Sequence, residues 1–313
     1  MHSSPSHTLR TASPDSEPLT GRALVLGGGG STGNAWLIGV LAGLLDGGLD
    51  ATRADLIIGT SAGSTATAQI TGASPSRLLA DILAVPVPQP REGRAAPEGR
   101  RTSSRPVVDQ MARTQRLIDA AADPADMRRR MGAAAIELAA TSDDAVQTRW
   151  RATVASRIPN QDWPERRVLI TAVDATSGDP VVFDGASGVD LADAVAASCA
   201  SGFAYRIGDG RYIDGGYRSN AENADLAGGC ARVLVLSPFS GRTRTPMEWG
   251  QHLSTQVADL RAGGSRVETV FPDSDFERLF GVTAMDPSLR PPAARAGFDQ
   301  GRAIAGGLIE FWG

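Results

Sequence analysis

The chain has 313 residues, 42% hydrophobic but only 5% aromatic, enough for one large α/β domain or two smaller ones with a core of Ala, Val, Leu and Ile. A net charge of −4 argues against nucleic-acid binding, which favours basic surfaces. All 31 basic residues are arginines, which excludes a Schiff-base lysine, a Ser–Lys dyad and a phosphate-loop lysine.

Residues 1–20 are polar and Pro-rich with no apolar leader segment, and read as a disordered tail without a signal peptide. Residues 23–26 predict a short buried strand. A glycine turn follows, Gly27-Gly28-Gly29-Gly30-Ser31-Thr32-Gly33, and then a helix over residues 34–45. Residues 55–58 predict a second strand. It runs into Gly59-Thr60-Ser61-Ala62-Gly63 and a helix to residue 71.

Residues 85–106 are rich in Pro, Arg and Gly and predict a loop, and residues 107–156 predict three helices broken at Asp123-Pro124 and Ser142-Asp143-Asp144. This helical insertion, about residues 85–160, reads either as a cap on the core or as a mobile cover over an acyl-binding groove. Strands are expected at residues 167–173, 180–183, 212–213, 232–236 and 267–271. Helices are expected at 191–199, with Asp190 as N-cap, at 246–262 and at 292–312. The alternation predicts an α/β fold: a mostly parallel central sheet with helices on both faces, over one domain spanning residues 21–313.

Cys199 and Cys230 have no zinc spacing and read as reduced and buried, which places the chain in the cytoplasm. The longest apolar stretch, residues 35–45, is too short to span a bilayer. No cluster has metal-ligand spacing, Asp143-Asp144 reads as a helix start, and no cofactor or metal is expected. Arg128-Arg129-Arg130 reads as a solvated helix face.

Gly59 to Gly63 has the Gly-Xaa-Ser-Xaa-Gly form of a nucleophile elbow, in which a serine stands on a tight strand-to-helix turn. The glycine turn admits three readings. It fits a dinucleotide fingerprint, but the second strand then wants an acid at its carboxyl end, and here Asp55 lies at the amino end. A phosphate loop fails for want of lysine. An oxyanion site uses the same backbone N–H groups, and an adjacent strand ending in Ser61 supports it.

Serine needs a base. His2 and His7 lie in the tail. His252 would complete a Ser61–Asp214–His252 triad in the chain order of an α/β-hydrolase, but it reads as embedded in a helix. The alternative is the carboxylate of Asp214, where Gly215 and Gly216 leave the backbone free to turn tightly.

Taken together, the glycine turn, the serine elbow and Asp214-Gly215-Gly216 resemble the patatin-like phospholipase family of lipid acyl hydrolases, over about residues 23–236. The run Asp190-Leu191-Ala192-Asp193-Ala194-Val195-Ala196-Ala197-Ser198-Cys199-Ala200 is similar to that family's helix before the Asp loop. The resemblance implies a Ser–Asp dyad with Ser61 as nucleophile and Asp214 as proton acceptor. The oxyanion would be held by backbone N–H groups among Gly28, Gly29, Gly30, Gly33 and Ala62. It implies a lipid or acyl-ester substrate, transient contact with a membrane surface, no nucleic acid and no cofactor. The family usually carries Arg or Lys where Thr32 stands and a proline after the position of Ala200. The first departure leaves the oxyanion to backbone donors alone.

Overall fold

The computed structural model describes residues 19–85, 105–140 and 144–313. Residues 1–18 of the expected tail and nearly all of the Pro-rich loop lie outside them. Thr20 already opens strand β1 (Thr20–Leu26). The strand begins three residues before the apolar run because Thr20 and Arg22 pair with Cys230 and Arg232, and ladder bonds do not require apolar side chains.

Next come α1 (Gly30–Asp46), β2 (Leu56–Gly59), α2 (Ala62–Gly72) and α3 (Pro75–Ala84). The insertion helices are α4 (Arg105–Asp119), α5 (Pro124–Ala140) and α6 (Asp144–Ala155). Then follow β3 (Arg167–Asp174), β4 (Pro180–Phe183), α7 (Leu191–Ser198), β5 (Tyr205–Ile207), β6 (Gly210–Asp214) and β7 (Cys230–Leu236). The chain closes with α8 (Leu253–Ala262), β8 (Arg266–Val270) and α9 (Arg290–Trp312). All eight strands join one sheet in the order β5-β6-β3-β2-β1-β7-β8, with β4 also paired to β3. Strands β3, β2, β1, β7 and β8 run parallel; β4, β5 and β6 pair antiparallel. This is the mostly parallel α/β sheet that the sequence pattern predicts.

Alternate residues of β1 point to opposite faces, as the two-residue period of a strand requires. Leu24 and Leu26 join the large core with α1, α2, α3, α7 and α9, whereas Ala23 and Val25 pack towards α8. Helix α1 is buried on nearly every side. It crosses α9 in backbone contact: a Cβ on Gly39 or Gly43 would overlap the carbonyls of Ala294 or Phe298. A third apolar cluster joins Met127, Met131 and Ala135 of α5 to Val173 and Ile213. The insertion thus packs against the strand that ends in Asp214.

Several expectations are corrected locally. Helix α1 starts at Gly30, so the turn is only Gly27 to Gly29. The predicted helix over 246–262 is a short 3-10 turn, Met247–Trp249, followed by α8, and His252 is the residue before α8 rather than one inside it. The Asp190 carboxylate makes no cap bond. It pairs instead with Arg151 at 3.1 Å. Of the three arginines expected on a solvated face, Arg129 and Arg130 are exposed, whereas Arg128 is half-buried and its Nε donates to Gly178 O at 2.7 Å. Asp143 lies outside the described residues. Both cysteines are free thiols of intermediate exposure rather than fully buried residues.

Candidate active site

Register alone brings the site together. Gly59 of β2 pairs with Ile170 of β3, and Asp214 of β6 pairs with Ala172, two residues further along β3. Ser61, two residues past Gly59, therefore comes level with Asp214 across β3. On the other side, Leu26 of β1 pairs with Gly59, so the glycine turn leaves the sheet beside the elbow. A Cβ on Gly28 would meet Ser61 Cβ at 3.6 Å. The site thus lies at the carboxyl ends of parallel strands, where α/β sheets open crevices.

Ser61 has φ 52° and ψ −114°, a conformation that side chains rarely adopt and that costs on the order of 1–3 kcal/mol. The surroundings hold it there. Ser61 N–H donates to Ser198 Oγ at 2.9 Å, and Ser61 O accepts from Ser64 Oγ at 2.6 Å and from Cys199 Sγ at 3.1 Å. The same segment takes Asp214 N–H on Ala200 O at 3.0 Å. Three consecutive residues at the end of α7 therefore grip the backbone of both Ser61 and Asp214. Gly63 is required by close approach, since a Cβ there would overlap Leu26 O as α2 passes β1.

The Ser61 hydroxyl donates to Asp214 Oδ2 at 2.8 Å, across 153 residues of sequence. Asp214 Oδ1 accepts Gly216 N–H at 2.8 Å, so both carboxylate oxygens are engaged and oriented. The side chain is buried, and burial raises its pKa to about 6, against opposing contributions from the Gly216 and Ser61 hydrogen bonds. Desolvation thus brings the Asp214 carboxyl towards neutrality, while the Ser61–Asp214 bond acts in the opposite direction.

Asn223 joins the two loops. It sits in the left-handed region at φ 55°, and its amide donates to Thr60 Oγ1 and to Gly215 O, both at 3.0 Å. Those acceptors are neighbours of Ser61 and Asp214. Asn220 Oδ1 in turn accepts Asn223 N–H at 2.7 Å. Glu222, fully buried, has its pKa raised to about 7 by desolvation and accepts Ser237 Oγ at 2.5 Å, below the glycine turn.

Of the expected backbone donors, two are already occupied. Gly28 N–H bonds Ala221 O at 2.8 Å, and Gly33 N–H bonds Gly29 O at 3.0 Å inside α1. The N–H groups of Gly29, Gly30 and Ala62 have no acceptor among the described residues. Thr32 is fully buried and donates from Oγ1 to Leu279 O at 2.7 Å, tying a distant loop to α1. His252 Nε2 is bonded to Thr245 O at 3.0 Å, and the Ser61 hydroxyl is bonded to Asp214. Asp55 holds Arg22 N–H at the opposite end of β2, away from the turns.

The sequence reading missed Asn223, Glu222, the gripping roles of Ser198 and Cys199, and Arg290, whose guanidinium reaches Ser31 O at 2.8 Å. Only the run through Ser198-Cys199-Ala200 offered a signal, and it named a helix rather than contacts.

The model of the patatin-like phospholipase family matches residues 24–225, about two thirds of the chain and all of the elements just described up to the Asn223 loop. The chain belongs to that family and is by class a lipid acyl hydrolase. No curated protein sequence matches it. Among solved structures it is similar to VipD from Legionella pneumophila, at 13% identity and TM-score 0.43, covering 93% of this chain and 67% of that one. It is also similar to the type III effector protein ExoU, at 14% identity and TM-score 0.36, covering 93% of this chain and 53% of that one. The chain thus spans about half the length of ExoU. Among the described residues no helix is long and apolar enough to cross a membrane.

Proposed function

We propose that the protein cleaves fatty-acyl esters of lipids through a Ser61–Asp214 dyad and an acyl-enzyme. The observation that carries this reading is the 2.8 Å bond from Ser61 Oγ to a buried, pKa-raised Asp214 at the carboxyl end of the sheet. Asp214 Oδ2 accepts the hydroxyl proton as Ser61 Oγ attacks the ester carbonyl. The oxyanion is held by the free N–H groups of Gly29, Gly30 and Ala62. Collapse of the tetrahedral species expels the alcohol, which takes the proton from Asp214. Water then gives a proton to the same carboxylate and attacks the acyl carbonyl, and collapse of the second tetrahedral species returns that proton from Asp214 to Ser61 Oγ as the fatty acid leaves.

The role of Gly28 and Gly33 is reassigned on this reading: with their N–H groups engaged, they shape the turn and do not donate. Release of p-nitrophenol from acyl esters tests the reading, together with fluorophosphonate labelling and a panel of phospholipids and lysophospholipids. Wild-type turnover and labelling that vanish in Ser61→Ala and Asp214→Asn are expected. A Ser61→Ala protein with wild-type turnover would sink it.

A further inference from the structure

Residues 220–223 touch the glycine turn, the elbow and the Asp214 loop at once. Ala221 O takes Gly28 N–H at 2.8 Å, next to the unoccupied donors of Gly29 and Gly30. Asn223 Nδ2 reaches Thr60 Oγ1, beside Ser61, and Gly215 O, beside Asp214, both at 3.0 Å. Asn220 Oδ1 takes the N–H groups of Glu222 and Asn223, at 2.9 and 2.7 Å. Its own amide is anchored on Gln251 O and on Gln256 Oε1 of α8. Three pieces of the candidate site are thus fastened to one short strap.

Glu222 stands in the middle of that strap, fully buried. Its Cγ lies under the turn, where a Cβ on Gly27 would come within 3.3 Å of it. Oε1 has one donor, the Ser237 hydroxyl at 2.5 Å, and Oε2 has no partner among the described residues. The groups that face it are neutral: Gly27 of the turn, Ser237 after β7, and the Asn220 amide of its own loop. The charged groups on the adjoining segments are engaged elsewhere. Arg218 pairs with Asp225, Asp214 is held by Ser61 and Gly216, and His252 meets Thr245 O. No charge contributes to the pKa of Glu222, and neither Asp214 nor Glu222 shifts the other.

An ionised carboxylate is costly in such a place, because a single hydroxyl and no cation replace its water. The neutral acid fits far better. Desolvation raises the pKa from 4.5 to about 7, with the Ser237 hydrogen bond opposing it, so the group is neutral below that pH and ionised above it. Once ionised, Glu222 gains donors from water only if its backbone shifts. Ala221 O and Asn223 Nδ2 flank it, so Gly28 and the elbow would lose their holds together.

We propose that Glu222 is a positioning residue: as a neutral acid it keeps residues 221–223 seated beneath the glycine turn, and its ionisation unseats them and slows acyl transfer. This rests on the Ser61–Asp214 reading above and adds an upper pH bound to it. Displaced oxyanion donors weaken the transition state more than the bound ester, so kcat falls while KM changes little.

The kinetic test follows kcat of the full chain on a p-nitrophenyl acyl ester from about pH 5 to about pH 9. Wild type should pass through a maximum and then lose kcat about ten-fold per pH unit above about 7. Glu222→Gln cannot ionise, and should hold its kcat through that range. Ser237→Ala removes the hydroxyl whose hydrogen bond favours the carboxylate, and should move the alkaline limb to higher pH. A wild type with no alkaline limb, an unshifted limb in Glu222→Gln, or a limb carried by KM alone would overturn the proposal. Thermal unfolding in the Ser61→Ala background reads the same ionisation without turnover. A carboxyl raised in this way contributes its stability below about 4.5 and loses it as pH climbs through about 7. The Glu222 chain should therefore melt progressively lower than its Glu222→Gln counterpart above about pH 7, and a difference that does not change with pH would overturn the proposal. If Glu222→Gln fails to fold by circular dichroism, the shift in Ser237→Ala decides the matter, and an unmoved limb there overturns it. Undiminished turnover by Ser61→Ala would instead defeat the dyad, and the melting comparison would still report on Glu222.

Discussion

Two strand-to-helix turns stand side by side at the carboxyl ends of β1 and β2, and they differ in how much of their hold is local. The elbow of Ser61 is shaped in part by its own sequence. Gly63 lets α2 pass close to β1, and Ser64 turns back on Ser61 O at 2.6 Å. The glycine turn is shaped from outside. Ala221 O takes Gly28 N–H, Pro238 fills the space where side chains of Gly29 and Gly33 would go, Ala284 O takes Thr32 N–H, and Arg290 grips Ser31 O. The first turn combines this local shaping with distant holds from Ser198, Cys199, Asn223 and Asp214. The second is a neutral loop whose donors and charge environment are selected by residues from late in the chain. On the proposed dyad, Ser61 and Asp214 should respond to single changes in an all-or-none manner, and the oxyanion side by degrees.

The largest expected effect is on the elbow and its base. Ser61→Ala and Asp214→Asn should each lower kcat by about 10⁴-fold, and the double variant should lose little more, because the two act as a unit. Asp214→Asn carries a second signature. The Asp214 pKa is raised from 3.8 to about 6 in the folded chain. A carboxylate raised in this way contributes its stability below the unfolded value near 4, and loses it as pH climbs through about 6. Above that pH the ionised, buried side chain costs on the order of 2–3 kcal/mol. The inactive Asp214→Asn protein should then melt higher than wild type near pH 8 and show no such gain near pH 3. Thermal unfolding at the two pH values checks this. A variant equally destabilised at both would mean that the carboxylate's hydrogen bonds outweigh its desolvation.

The same pKa predicts the next effect. Activity should follow ionised Asp214, with kcat/KM falling about ten-fold per pH unit below a midpoint near 6. Because Glu222 also has a raised pKa, about 7, Glu222→Gln separates the two groups. The acid limb should stay near 6 in that variant, and a limb that moved would assign it to Glu222.

The contrast between the turns also explains what could be read in advance. The strands, the elbow turn and the turn at Asp214 were legible because each is announced by residues adjacent in sequence: an apolar run, a glycine spacing, an Asp before two glycines. The α/β class followed from their alternation. The start of α1 was not legible, since four successive glycines give no cue to which of them enters the helix; Gly30, at φ 65°, does so. That single shift occupies Gly33 N–H within the helix. His252 seemed to lie inside a helix because Gly250 gave no apparent break, whereas it adopts a left-handed turn at φ 67° before α8. Asn223, Glu222 and Arg290 act through tertiary contacts alone, 163, 15 and 259 residues from the partners they hold, and no local pattern encodes such pairings.

Asn223 should give an intermediate effect. Its amide joins Thr60 Oγ1 to Gly215 O, and it occupies a left-handed conformation that Asn tolerates better than Ala. Asn223→Ala leaves those acceptors without their donor and should lower stability by about 2–3 kcal/mol and kcat by about ten- to a hundred-fold, with KM little changed. A KM effect with intact kcat would place Asn223 at substrate instead.

The smallest expected effect concerns Thr32, the residue that stands where the family usually has a cation. If Thr32 took part in catalysis, removing its hydroxyl would weaken transition-state binding. Its geometry argues otherwise: the side chain is fully buried and its hydroxyl is committed to Leu279 O at 2.7 Å. Thr32→Val keeps the shape and removes that donor, leaving one carbonyl less well satisfied, a change of about 1 kcal/mol in unfolding free energy. Denaturant unfolding should register the loss while kcat/KM on p-nitrophenyl esters changes by less than about two-fold. Thr32→Arg should be far worse than Thr32→Val, since a guanidinium has no space among α1, Leu279 and Ala284. The guanidinium beside this turn is that of Arg290, on Ser31 O, and a Thr32→Arg protein that folded and gained activity would overturn the purely structural role of Thr32.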